Sequence, residues 1–127
     1  MNTTIIVIVL IVVLMVGSSV LKQRRYARVL EEARQLLEQG AVVIDARSAM
    51  EFSGGHHEGA TNYPAADAAQ AIKRLRDKKR PVVVYCASGA RSRVMVQALG
   101  KAGFERVIDV GTLANMRGLP AGRAPRR

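Results

Sequence analysis

The 127 residues are enough for one domain and not two, and the single cysteine, Cys86, excludes an internal disulfide. A net charge of +10, from 20 Lys and Arg against 10 Asp and Glu, raises nucleic-acid binding as a function. That class is set aside: no zinc-finger, recognition-helix or aromatic stacking pattern accompanies the charge, and basic residues instead cluster just after an apolar segment and in the C-terminal tail.

Thr3 to Leu21 (TTIIVIVLIVVLMVGSSVL) carries no charge and is close to the ~20 residues that a helix needs to cross the hydrocarbon core. In lipid a helix satisfies every backbone group internally, so this Ile- and Val-rich run is expected to be helical. A cleaved signal peptide is the competing reading. Such peptides open on a positive n-region and close on a small-residue site. Here no Lys or Arg precedes the run, Lys22, Arg24, Arg25 and Arg28 follow it, and Gly17-Ser18-Ser19 is a weak cleavage site. The flanks favour an uncleaved single-pass anchor over residues 1–22. The positive-inside rule then puts the N-terminus outside and the remaining chain in the cytoplasm, at the inner membrane if the source is bacterial. Residues 23–40 are expected to form a juxtamembrane basic segment and a first helix. Its stripe is Val29, Leu30, Ala33, Leu36 and Leu37, and Gly40 is its stop.

Ala41 to Ala46 (AVVIDA) predicts a strand buried on both faces. Ser53 to Gly59 predicts a loop and Ala60 to Pro64 a short strand. Ala65 to Lys79 predicts a helix with Ala68, Ala71, Ile72 and Leu75 inward. Pro81 to Tyr85 (PVVVY) predicts a second buried strand. Arg91 to Ala102 predicts a helix with Val94, Met95, Ala98 and Leu99 inward, and Arg106 to Val110 a third strand. Strands alternating with helices indicate an α/β fold with a mostly parallel sheet flanked by helices. Residues 117–127 (RGLPAGRAPRR) lack apolar periodicity and predict a basic, disordered tail.

Chemistry concentrates in Pro81 to Arg93 (PVVVYCASGARSR). A buried strand delivers Cys86 to its carboxyl end, where open α/β sheets bind ligands. The small residues Ala87, Ser88, Gly89 and Ala90 let the backbone curl so that its N–H groups converge on an anion. The following helix adds the positive end of its dipole, and Arg91 adds a full charge. A thiol in this setting has a depressed pKa, and the thiolate is the nucleophile. The alternative is a buried core cysteine, but a strand end before a small-residue loop favours the reactive one.

Cys86-Ala87-Ser88-Gly89-Ala90-Arg91-Ser92 resembles the active-site loop of rhodanese domains, C-x-x-G-x-R. Val43-Ile44-Asp45-Ala46-Arg47 resembles the family's strand end, Glu51-Phe52 its E-[FY] pair, and Gly55-His56 with Gly59 to Pro64 its G-H-I-x-G-A-x-N-I-P stretch. Ala102-Gly103-Phe104, Val107 and Val110-Gly111 resemble its closing G-F-x-x-V-x-x-L-x-G-G segment. The resemblance covers about residues 30–120 and implies a rhodanese-type sheet with a ping-pong sulfur transfer. The Cys86 thiolate would take the outer sulfur of thiosulfate or a persulfide, hold it as a persulfide cradled by the amides of Ala87 to Arg91, and yield it to a thiol or cyanide. No cofactor or metal is implied. The partners implied are a small anionic sulfur donor and a thiol acceptor, with the membrane engaged through residues 3–21, no nucleic acid, and a protein partner unidentified.

Asp45 and Arg47, at a strand end, either pair with loop residues or form a structural ion pair. Glu51 either orients Arg91 through a bidentate pair or is a solvated loop carboxylate. His56 matches the family histidine, which is expected to be structural. His56, His57 and Cys86 do not have metal-ligand spacing. Related phosphatases use C-x5-R, which would place the arginine at 92, where Ser92 stands. Thr112 to Met116 departs from the family's Gly-Gly-Leu and aromatic, and His57 and Glu58 replace an apolar residue and a proline. A rhodanese-fold binding or regulatory module on a membrane anchor is the alternative function, and the intact Cys86 loop argues against it.

Overall fold

The computed structural model describes residues 2–126. Four helices, α1 (Thr3–Glu38), α2 (Ala49–Ser53), α3 (Ala68–Leu75) and α4 (Ala90–Lys101), alternate with four strands, β1 (Val42–Asp45), β2 (Ala60–Asn62), β3 (Val82–Cys86) and β4 (Val107–Thr112). β1 and β3 are buried at every residue, as continuous apolar runs require in the middle of a parallel sheet. All pairings are parallel in the order β2-β1-β3-β4. A register shift brings Gly111 and Thr112 of β4 level with Tyr85 and Cys86. The fold is therefore the expected α/β architecture, a parallel sheet flanked by helices and preceded by a long apolar helix.

Side chains alternate between the two faces, as the strand period of two demands. On one face Val42, Ile44, Val82, Val84 and Cys86 meet Ala71 and Leu75 of α3 and Met95 and Leu99 of α4. On the other, Val43, Val83, Tyr85 and Val110 meet Ala33, Leu36 and Leu37 of α1, with Met116 and Leu119 from the chain after β4. Val94, expected to face inward, is exposed; Ser92 and Met95 take the buried side of α4 instead.

The first helix expected within residues 23–40 is the last part of α1, which runs unbroken for 36 residues. Among the described residues it is the one helix long and apolar enough to cross a membrane, and its apolar N-terminal half packs against nothing. Its direction is set by two contacts. Gln39, at its end, accepts a bond from Arg106 just before β4 (3.3 Å), and Arg34, more than a turn earlier, donates to Gly118 beyond the end of β4 (3.2 Å). α1 thus descends antiparallel to β3 and β4, which it covers.

Between β1 and the expected loop, Ala49–Ser53 forms a short helix, because Ser48 and Glu51 form a capping box. Two expectations need correction. The helix expected to reach Lys79 ends at Leu75, where Arg76 turns to φ 49°. The tail expected to be disordered is bound. Gly122 N–H donates to Glu58 O (2.9 Å), Arg123 N–H to Ala41 O (3.1 Å), and Arg80 to Ala124 O (3.0 Å). Residues 118–124 therefore strap the Val43 side of the sheet from its carboxyl edge to its amino edge, and Arg127 lies outside the described residues. Hydrogen-bonded backbone holds this strap, which is why apolar periodicity does not reveal it. Gly122 is needed there: a Cβ would fall 2.6 Å from Val43 Cγ2.

Candidate functional site

Cys86 is the last residue of β3 and is enclosed, whereas Ala87, Ser88 and Ala90 above it are exposed. Gly89 adopts φ +97°, a left-handed conformation that glycine alone reaches without strain. This turns its amide onto the thiol, 3.0 Å from Sγ. α4 begins at Ala90, so the sulfur sits at the positive end of a helix of 12 residues.

Burial pushes the Cys86 thiol up, but bonds from the Ser92 hydroxyl and from the amides of Ser92, Gly89 and Ser88 outweigh it and hold the thiol below its ordinary value. The residues expected to hold an anion therefore divide. Ser88 and Gly89 turn their amides to the sulfur, Ala87 and Ala90 make no bond to it, and Arg91 turns its guanidinium elsewhere. Ser92 is the residue that sequence reasoning passed over. It is fully buried in the first turn of α4, and its hydroxyl has one proton to give, either to the sulfur or to Gly89 O (3.0 Å), where it braces the turn. The available signal was a serine set beside Arg91 at the head of a helix that follows a nucleophile.

Arg91 makes the bidentate pair with Glu51 that was one of two open readings: Nη1 to Oε1 at 2.6 Å and Nη2 to Oε2 at 3.0 Å. Glu51 also accepts from Ser48 N–H and Oγ. The bond from Arg91, with those from Ser48, outweighs desolvation and holds the Glu51 carboxyl down at about 2. α2 and α4 are thereby tied together across the mouth of the Cys86 loop.

Asp45 and Arg47 pair with each other and make no bond to the Cys86 loop. Arg47 Nε and Nη2 reach the carboxylate at 3.0 and 2.7 Å. The same carboxylate accepts from the Tyr85 hydroxyl (2.7 Å), and Arg47 Nη2 donates to Gly55 O (2.7 Å). Burial first, then the bond to Asp45, drives the Tyr85 hydroxyl pKa far up. This buried cluster anchors the histidine loop beneath the site. His56 stacks on Phe52 with ring centroids 3.7 Å apart, and its Nδ1 lies 2.9 Å from Phe52 O. His57 Nε2 lies 2.8 Å from Pro120 O and so bonds the strap. Among the described residues no group of three or more His, Cys, Asp or Glu is placed to hold a metal. A cleft of about 560 Å³ opens at the same sheet edge, between His56, His57 and Glu58 on one side and Leu113, Met116 and Arg117 on the other.

A rhodanese-like domain family model matches residues 29–111. The uncharacterized protein YqhL of Bacillus subtilis is 34% identical over 95 residues, 75% of each chain. Thiosulfate sulfurtransferase GlpE of Pseudomonas fluorescens is 38% identical over 80 residues, which cover 63% of this chain and 72% of that one. Among solved structures, the Alr3790 protein of Anabaena superposes with a TM-score of 0.62 at 29% identity, covering 74% of this chain and 90% of that one. A structure described as rhodanese with anions from E. coli gives 0.58 at 26%, covering 61% and 93%. With the family model matched across both strands and loops that build the Cys86 site, the chain belongs to the rhodanese-like domain family.

Proposed function

We propose that this chain is a membrane-tethered sulfurtransferase with Cys86 as nucleophile. The observation that carries the reading is the Cys86 sulfur held by the Gly89 amide at the head of α4, its thiol lowered in spite of burial. The resemblance to sulfurtransferases of the GlpE kind supports the sulfur chemistry. The Cys86 thiolate attacks the outer sulfur of thiosulfate. The S–S bond of the donor breaks, sulfite leaves with the electron pair, and Cys86 carries a persulfide. An acceptor thiolate, or cyanide, then attacks the terminal sulfur and restores the Cys86 thiolate, so no external oxidant or reductant is consumed. Ser88 and Gly89 amides, with Ser92, hold the anionic sulfur; Arg91, Glu51 and Ser48 hold the loop in shape; Asp45, Arg47 and His56 support it from below. No cofactor takes part in this scheme.

The anchor reading places residues 3–21 of α1 across a membrane, with the N-terminus outside and the domain on the cytoplasmic side, by the excess of Lys and Arg just after the apolar run. The test of the chemistry is intact mass spectrometry of the detergent-solubilised full chain after brief thiosulfate treatment and desalting. The expected result is a gain of one sulfur, about 32 Da, removed by cyanide and absent in Cys86→Ser, as covalent catalysis requires. A folded sample that gains no sulfur from thiosulfate or polysulfide ends the sulfurtransferase reading.

A further inference from the structure

α1 does more than tether, because it is continuous and its end is part of the sheet's covering layer. Ala33, Leu36 and Leu37 are packed on β3 and β4, and no break separates them from the apolar run. The direction of α1 then decides which edge of the domain meets the bilayer. Arg106 at the amino edge reaches Gln39, and Gly118 at the carboxyl edge reaches Arg34, so the helix rises past the carboxyl edge as it is followed back toward Leu21. That is the edge at which Cys86, the Gly89 turn and the His56–Glu58 loop stand.

The spacing follows from helix geometry. Leu30 is the earliest α1 residue packed on the domain, and Leu21 is the last residue of the apolar run. About nine residues at 1.5 Å rise put the carboxyl edge roughly 13 Å from the end of the apolar run. The headgroup layer alone accounts for about 5–7 Å of that distance on each side of a bilayer. Lys22, Arg24, Arg25 and Arg28 occupy this interval on α1, all exposed, and Arg93 and Arg117 are exposed on the domain side. The amino edge is basic as well, with Lys78, Lys79 and Arg106 exposed, so charge does not discriminate the two edges. The direction of α1 does.

We propose that the Cys86 edge of the domain lies against the bilayer surface, with anionic phospholipid headgroups as its occupant. The proposal rests on the anchor reading of α1 and is independent of sulfur transfer. The full chain carrying Cys86→Ser is reconstituted in vesicles containing phosphatidylglycerol, with a single fluorophore on Ala114→Cys at the carboxyl edge or on Glu105→Cys at the amino edge. Both positions are exposed, so labelling does not open the core. A nitroxide carried on lipid headgroups is the quencher, and Arg117→Cys and Lys79→Cys repeat the comparison at a second position on each edge. The expected result is severalfold stronger quenching at 114 and 117 than at 105 and 79. Equal quenching, or the reverse order, in protein that floats with the vesicles overturns the proposed orientation and leaves the anchor standing. Protein that leaves the vesicles in alkaline carbonate overturns both.

Discussion

At Cys86 two opposed effects meet: enclosure, which disfavours a thiolate, and converging N–H and O–H donors, which favour it. The donors win only while Ser92 and the Gly89 turn keep their places. Ser92→Ala removes one donor and the brace on Gly89 O, so the pH profile of Cys86 alkylation should move to higher pH and the rate near neutrality should fall. An unchanged profile would show that the amides suffice. Glu51 works from further out. Its folded pKa of about 2 lies below the ordinary 4.5, so the stabilisation from its pair with Arg91 is complete above about pH 4.5 and is lost as pH falls toward 2. Glu51→Gln should therefore lower the melting temperature near pH 7 and lose that effect progressively below about pH 4.5. A deficit that stays constant down to about pH 3 would show that the pair's charge is not what matters. Because both side chains are more than a third exposed, solvent screens the pair and the effect should be small. Which donors would reach the sulfur was only half legible in the sequence. The Cys-to-Arg spacing announced the loop, yet whether Arg91 faces the sulfur or Glu51 depends on the capping box at Ser48, a motif that reads as loop when only apolar periodicity is followed.

Among the elements, those that bury apolar side chains on a fixed period were legible, and those held by backbone bonds were not. β1 and β3 announce themselves as unbroken apolar runs. The strap and the end of α3 turn on hydrogen bonds and on Arg76, the one non-glycine with positive φ among the described residues, neither of which leaves a hydrophobic pattern. The end of α1 is the case with the largest energetic consequence. Ala33, Leu36 and Leu37 cover Val83, Tyr85 and Val110, and burying each leucine contributes about 1.5–3 kcal/mol. With the strand residues they shield, the loss approaches the ~5–15 kcal/mol that stabilises a whole domain. A fragment beginning at residue 40 should thus show no cooperative urea transition, whereas one beginning at residue 23 should unfold in a single step. Equal transitions for the two fragments would mean that α1 is dispensable to the sheet.

For the whole molecule, helix, sheet and site share one axis. The roughly 13 Å between the apolar run and the Cys86 edge is much less than the ~30 Å breadth of a folded protein of about 100 residues. If that edge faces lipid as proposed, small thiols should reach persulfidated Cys86 in bilayers, and a folded soluble thiol protein should not. The measurement is sulfur delivery to each acceptor from the bilayer-embedded chain and from the fragment beginning at residue 23. The small thiol should serve both forms about equally, and the protein acceptor should gain severalfold on release from the membrane. A protein acceptor that reacts equally with both would remove the bilayer as a gate.

The strap also orders events in time. Synthesis makes α1 and β1 before the strap, which closes over Val43 and bonds Ala41 and Glu58. The sheet's Val43 face can therefore be sealed only after residues 118–124 have cleared the ribosome. Until then the nascent domain exposes a strip of valine-rich sheet, and it is during that interval, rather than after folding, that a chaperone or a neighbouring nascent chain has its opportunity to engage it.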